Sequence, residues 1–286
     1  MDDLTRITSS FFDFARKNPI YLLCSFVYYL LSVWVFAWQW WAFFLVAIIY
    51  AIAMCIAFSA LGEWMMRTFN HVRRLETAEE KNHLRPLFKE VYKKAKAANP
   101  ELGEIKLFMI DSMTVNACAL GNHTIAVTKG AMSTFPEDEL KAILAHEIAH
   151  ILNRDTAATL YALIGNGIFM LLILPLKLFF AFVRISDGFE RLGAICEVIL
   201  AAIIGAFLFV MNLATSVNSR TAERRADEYT LTLGYGESMV EALYLLEKLS
   251  LGGEGSVIKK LLASHPRVTV RIERLETALG VHTEEE

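Results

Sequence analysis

Hydrophobic residues fall in long blocks along this chain. No charged side chain occurs from Asn18 to Gly62. A membrane span needs about 20 apolar residues, so this block predicts two helices joined by a short turn. Trp38, Trp40 and Trp41 sit in its middle, where interfacial aromatics would mark the turn. The predicted spans lie near 20–36 and 42–61. Two later apolar runs predict a second hairpin, with spans near 156–176 and 198–217. Its expected loop carries Arg184, Asp187, Glu190 and Arg191. Lys177 and Glu197 stand at span ends, where interfacial positions suit their charges.

The polar blocks between and after these runs, 63–155 and 218–286, predict one domain interrupted by the second hairpin. Segment 79–98 has helical periodicity. Segments 105–110, 115–120 and 124–128 read as short strands, the last two joined at Gly121-Asn122. A small antiparallel sheet is expected. Segment 137–153 reads as a helix whose apolar stripe is Leu140, Ile143, Leu144, Ile148 and Ile151. Ser133 and Thr134 offer N-caps, Pro136 suits the first turn, and Glu137, Asp138 and Glu139 favour the positive dipole end.

Composition sharpens this picture. The 286-residue chain is 55% hydrophobic with net charge -3, which predicts no nucleic-acid partner. Its mean hydropathy of +0.40 is high for a soluble protein. Cys24, Cys55, Cys118 and Cys196 are scattered and make neither a disulfide framework nor a paired-Cys metal pattern. Basic residues flank the polar sides of the spans: Arg16 and Lys17, Arg67, Arg73 and Arg74, Arg154, then Arg220, Arg224 and Arg225. The positive-inside rule places both termini and the polar domain in the cytoplasm.

The chemistry is carried by His146-Glu147-Ile148-Ala149-His150. Two imidazoles four residues apart share one face of a helix and can reach one zinc ion. Glu147, beside the first ligand, can act on a water held there. A catalytic zinc needs a third protein ligand and an open position. An even number of spans returns the chain to the same side, at Asn218 to Asp227. Glu223 and Asp227 lie four apart on one helical face, and either could bind metal. Glu223 is the preferred ligand, with Asp227 accepting from a ligand His N–H. The same residues also suit a solvated charged helix with Glu223 paired to an arginine, and spacing does not choose between them.

His146 to His150, Asn153-Arg154-Asp155, the hydrophobic hairpin, Ser219-Arg220, Glu223, Ala226-Asp227 and Ser264-His265-Pro266 with Arg271-Ile272 together resemble the HtpX-type membrane zinc metalloproteases. These are gluzincin relatives of the CaaX prenyl proteases, and the resemblance covers nearly the whole chain. It implies one zinc per chain held by His146, His150 and Glu223, with Glu147 as general base. It implies Asp227 and Arg271 around the ligands, and Asn116, Ala117 and Ala119 as a substrate strand. It also implies that His265 lies near the metal, stabilising the oxyanion or occupying the open position. Cys118 and Leu120 depart from the family's usual Phe and Thr in that strand.

The expectation is an α-helical membrane protein of about four spans carrying an α+β zinc-metallopeptidase domain. Its expected clients are damaged or misfolded membrane proteins or other unfolded polypeptides at the cytoplasmic face of a bacterial plasma membrane. A prenylated-peptide protease and a non-catalytic zinc-bound adaptor or chaperone are the alternatives. The lipid bilayer is the other expected partner.

Overall fold

The computed structural model describes residues 11–35, 40–252 and 268–281. Trp38, Ser264, His265 and Pro266, and the roles expected of them, lie outside the described residues. In chain order the elements are α1 (Pro19–Val35), α2 (Trp40–Ala57), α3 (Ala60–Phe69), β1 (Val72–Arg74), α4 (Ala78–Ala98), β2 (Lys106–Ile110), β3 (Ala117–Leu120) and β4 (Thr124–Thr128). They continue with α5 (Lys129–Thr134), α6 (Glu137–Asn153), α7 (Asp155–Ile185), α8 (Glu190–Thr232), α9 (Gly236–Gly252) and α10 (Val268–Leu279). The chain is mostly helical with one small sheet. It divides into two compact units, one of residues 1–59 and 158–218, the other of 60–157 and 219–286.

In the first unit, α1, α2, α7 and α8 pack through Cys24, Val46, Tyr50, Phe169, Ile173, Ile204 and Met211. Two stretches, Gly167–Ile185 and Glu190–Thr232, are long and apolar enough to cross a membrane by length and composition. The N-terminal pair, α1 and α2, are helices of 17 and 18 residues. The second hairpin differs from the spans expected near 156–176 and 198–217. Its first helix does not stop at Pro175 or Lys177 but runs on to Ile185. In a helix that can bend, one proline removes a single backbone hydrogen bond and need not end it. Arg184, Glu190 and Arg191 are therefore helical, and only 186–189 turn. Arg184 meets Glu197 at 3.2 Å, so the two charges expected to sit apart in a loop and a span end pair with each other.

In the second unit the sheet order is β1-β2-β4-β3. It is mixed, not antiparallel as expected: β2 and β4 run parallel with Phe108 opposite Ala126. The reason is the link after β2, which carries the chain past one strand position and leaves room for β4 to return between β2 and β3. Strand β1, three residues long, was too short for periodicity to reveal. The core joins Leu84, Leu87 and Val91 of α4, Ile125 and Val127 of β4, Leu140, Leu144 and Ile148 of α6, Leu243 of α9, and Ile272 and Leu275 of α10. Helix α6 is buried on nearly every side from Leu140 to Ile151. Its start also differs from expectation. Ser133 and Thr134 belong to α5, Pro136 is the N-cap, and no side chain caps the helix. The Ser133 hydroxyl instead donates to the Gly130 carbonyl at 3.1 Å.

Two polar knots fix the sheet. The Glu63 carboxylate of α3 is buried against the β3–β4 turn. It accepts from Thr124 Oγ1 at 2.6 Å, Arg67 Nη1 at 3.0 Å and the Asn122 N–H at 3.3 Å, and meets His123 Nδ1 at 3.1 Å. Burial alone would raise the Glu63 pKa, but bonds from His123 and Thr124 outweigh it and hold the pKa below the usual value. Gly121 turns the hairpin at φ 71°, and a Cβ there would lie 2.8 Å from Glu63 Cγ. Glycine is thus required twice, for conformation and for space.

The second knot is Glu80, the N3 residue of a capping box with Thr77. Both its oxygens take Arg73, at 2.7 and 3.0 Å. The Arg73 hydrogen bonds, opposed by burial, hold the Glu80 pKa at about 2 against an ordinary 4.5. A depressed carboxyl contributes stability that is complete above its unfolded pKa and is lost as pH falls through the folded one. Amide exchange along α4 should therefore speed up as pH falls from 4.5 towards 2, beyond the intrinsic pH effect, and Glu80→Gln should flatten that response. An identical response in the variant would show that Glu80 carries none of it.

Candidate active site

All the groups of the site described here lie within the second unit. Helix α6 presents His146 and His150 one turn apart. Helix α8, long past its apolar part, presents Glu223 and Asp227 on one face. The imidazoles meet with their Nε2 atoms 3.2 Å apart. Glu223 Oε2 is 3.4 Å from His146 Nε2, and Oε1 is 3.6 Å from His150 Nε2. Ligand atoms of all three residues lie within 4.8 Å of one another, and all three residues are buried.

Each imidazole is held from behind. His146 Nδ1 lies 3.1 Å from Asp227 Oδ1, and His150 Nδ1 lies 2.9 Å from Asp155 Oδ2. A carboxylate at Nδ1 assigns the proton there and leaves the Nε2 lone pair facing the centre. Two such lone pairs at 3.2 Å repel each other and the Glu223 carboxylate, so the arrangement suits a cation between them. Two ligands at about 2.1 Å in tetrahedral geometry would stand about 3.4 Å apart. The observed separations fit a divalent metal held by His146, His150 and Glu223.

The anionic surroundings favour positive charge at this point, which a proton on His146 and a metal ion compete to supply. Burial opposes charge on His146, yet bonds to Asp227 and Glu223 outweigh it and push its pKa up to about 9. Burial alone would likewise raise Asp227, but His146 and Arg271 hold it below its usual range. Arg271, from α10, grips Asp227 through Nε at 2.8 Å and Nη2 at 2.6 Å. Its Nη1 lies 3.2 Å from Glu223 Oε2, so one buried guanidinium ties both α8 carboxylates to α10.

Glu147 faces the sheet. Its Oε2 accepts the Ala119 N–H at 2.7 Å. The hydroxyl of Thr156 donates to the Ala119 carbonyl at 3.3 Å. Strand β3 is the terminal strand of the sheet. The Asn116 carbonyl accepts the Thr128 N–H at 3.0 Å, so by alternation Asn116 turns its carbonyl towards β4 while Ala117 and Ala119, both buried, turn their main chains away from it, where Glu147 and Thr156 take those of Ala119. Cys118 is pushed up to about 12 by burial and by Glu147, so it stays a thiol.

Asp155 was the residue sequence reasoning passed over. It was quoted as part of a motif, but no role was attached to it. Five residues after His150, it would not share a helical face with it. The signal lies in Arg154, which ends α6 in the left-handed region at φ 61°. That break turns Asp155 back onto His150, while Arg225 Nη2 donates to its other oxygen at 3.3 Å.

A buried His-Glu-x-x-His helix completed by a distant carboxylate, beside a terminal strand, is the arrangement of a metal-dependent peptidase. The family model described as peptidase family M48 matches residues 78–279, and the chain belongs to that family. Relatives named as HtpX proteases match about two thirds of the chain. The chain is 30% identical over 216 residues to a Protease HtpX homolog from a Nostoc species, covering 66% of this chain and 72% of that protein. It is 30% identical over 227 residues to a Protease HtpX homolog of Aquifex aeolicus, covering 69% and 72%. A further Protease HtpX homolog, from Trichormus variabilis, is matched over 66% of its length. The crystal structure of S. mikatae Ste24p shares the fold, with TM-score 0.53 and 22% identity, over 94% of this chain and 65% of that one.

Orienting partners of metal-bound histidines are worth roughly 10–100-fold in metal affinity. Asp155→Asn should weaken zinc binding by that order in a chelator-competition titration. Unchanged affinity would remove Asp155 from the site.

Proposed function

We propose that the protein is an integral membrane zinc metalloendopeptidase that cleaves damaged or unfolded membrane proteins. The single observation that carries the reading is the convergence of His146, His150 and Glu223, with ligand atoms within 4.8 Å, next to Glu147. His146, His150 and Glu223 would hold one zinc. Bound there, zinc supplies a Lewis acid that polarises a carbonyl and makes a water more acidic.

The chain's own groups do the rest. Glu147 takes a proton from the attacking water and returns it to the leaving amine, a general base and then a general acid. Before substrate arrives its carboxylate rests on the Ala119 N–H, which fixes it at the strand edge. The substrate main chain lies along β3, bonding to the outward N–H and C=O groups of Ala117 and displacing Glu147 and Thr156 from those of Ala119. Such pairing reads backbone more than side chains and suits varied unfolded sequences. Asp227, Asp155 and Arg271 keep the imidazoles and Glu223 aimed at the centre. His265, outside the described residues, is assigned to the oxyanion or the open position on family resemblance alone.

The membrane placement is supported by the two apolar stretches Gly167–Ile185 and Glu190–Thr232 and by the uncharged N-terminal block. Four spans, a cytoplasmic site and a bacterial plasma membrane are supported by the basic residues at the span ends and by relatives from Nostoc and Aquifex aeolicus. Membrane proteins are the natural clients of a protease anchored in the same bilayer.

General acid–base groups contribute typically about 10²–10⁴-fold to a rate. Glu147→Gln should keep zinc yet lose degradation of an unfolded membrane reporter by at least about 10²-fold. Full proteolysis by that variant would remove Glu147 as the base. Zinc-loaded wild-type protein that binds the reporter without cleaving it would favour the adaptor.

A further inference from the structure

Helix α3 is built inside out. Its inward face carries Glu63, only 7% exposed, and Arg67. Arg67 donates to Glu63 and, at 3.2 Å, to Thr124 Oγ1, and its guanidinium lies 5.6 Å from the centre of the Phe108 ring. The opposite face carries Leu61, Trp64 and Phe69, which are 52%, 54% and 75% exposed. At 3.6 residues per turn these three fall on one side, with Met65 and Thr68 between them. A helix facing water would show the reverse pattern.

The helix cannot correct this by rolling. Turning the apolar face inward would strip the buried Glu63 carboxylate of Thr124, His123 and Asn122, which is strongly unfavourable for a buried charge. The roll is therefore locked, and the apolar side chains are held outward by polar bonds on the other face. Along the chain, α3 starts at Ala60, directly after α2 ends at Ala57. That preceding helix exposes apolar residues in the same manner: Phe43, Phe44, Leu45, Ile48 and Ile52 are all exposed. The apolar surface thus continues along the chain from α2 into α3 and stops at Phe69. Beyond it comes Arg74, an exposed cation suited to lipid phosphate.

We propose that the outer face of α3 is a lipid-binding site: the helix lies in the headgroup boundary of the bilayer, with Leu61, Trp64 and Phe69 inserted among the upper acyl chains. This assignment rests on the membrane placement of α2 given above. An amphipathic helix with aromatic residues on its apolar face binds this layer of a membrane. The consequence reaches the active site through Glu63. The carboxylate that locks the roll of α3 also holds the Gly121–Thr124 turn, and this turn ends β3, whose Ala119 N–H holds Glu147. Lipid contact at α3 thereby sets the substrate-pairing edge at the bilayer surface.

Bromolipid quenching of single-tryptophan chains tests this. The full-length protein is reconstituted into phosphatidylcholine–phosphatidylglycerol vesicles in two forms. One keeps Trp64, with Trp34, Trp38, Trp40 and Trp41 changed to Phe; the other keeps only Trp41. Trp64 should lose at least half its emission to lipids brominated near the glycerol end of the chain and resist aqueous iodide. Quenching of Trp64 by iodide alone, or shielding from both quenchers, would overturn the proposal, the second by showing that protein covers the face. If Trp41 is quenched by bromolipid and Trp64 is not, only the α3 site fails; if neither is, the membrane reading falls with it. Hydroxyl-radical footprinting of the unsubstituted chain in the same vesicles gives a second measure. Trp64 should be protected, whereas Met113, 74% exposed, should be oxidised. Oxidation of Trp64 as fast as Met113 would again overturn the assignment.

Discussion

Everything in the second unit serves one electrostatic constraint: two imidazole lone pairs and a carboxylate are buried facing one another. Their Nε2 and Oε atoms stand 3.2 to 3.6 Å apart, a spacing that electron-rich groups hold only with positive charge close by, and Arg271 supplies part of it from 3.2 Å beside Glu223. The fold holds them there because each is anchored from behind. Asp227 fixes His146, Asp155 fixes His150, and Arg271 fixes Glu223 and Asp227 together. A buried polar network of this kind is favourable only when every member is satisfied. The three anchored groups thus leave a place for a cation between them.

The architecture follows from the distances this constraint must bridge. The ligands come from two helices separated in sequence by the apolar hairpin, and the guanidinium comes from a third near the C-terminus. Helix α6 is buried nearly all round, so its two histidines have no freedom to turn away. Helix α8 is continuous from Glu190 to Thr232, so the part that bears Glu223 and Asp227 is a direct extension of an apolar stretch. Strand β3 supplies a main-chain donor to Glu147 because it is an edge strand with every second N–H turned outward. Three secondary-structure facts thus converge on one place.

Much of this was legible in the chain, for reasons that can be named. Segment 137–153 carried a 3.6-residue apolar stripe from Leu140 to Ile151 and acidic residues at its start, and the helix spans that segment although Ser133 and Thr134 do not cap it. Segments 115–120 and 124–128 meet at Gly121-Asn122, and a hairpin forms there, its first strand starting at Ala117 and not at Val115. The preference for Glu223 over Asp227 as the inner carboxylate came partly from resemblance, since spacing alone left both open. What stayed hidden depended on tertiary context. The parallel pairing of β2 with β4 is invisible to periodicity, which reports faces and not neighbours. The run of α7 through Pro175 shows that helix ends in apolar segments are poorly marked by single residues. Asp155 escaped because a left-handed Arg154 brings it back to His150, and a positive φ outside glycine has no sequence signature. The inverted polarity of α3 was masked in the same way: Glu63 and Arg67 look like a solvent face until His123 and Thr124 are found against them.

The central claim is that Glu223 completes one metal site with His146 and His150, and zinc affinity tests it most directly. Purified full-length protein should bind a single zinc per chain, and Glu223→Ala should weaken that binding by about 10²-fold or more, as expected when a direct ligand is lost and not merely one of its orienting partners. Equal affinity in the two proteins, with the fold intact by circular dichroism, would contradict it.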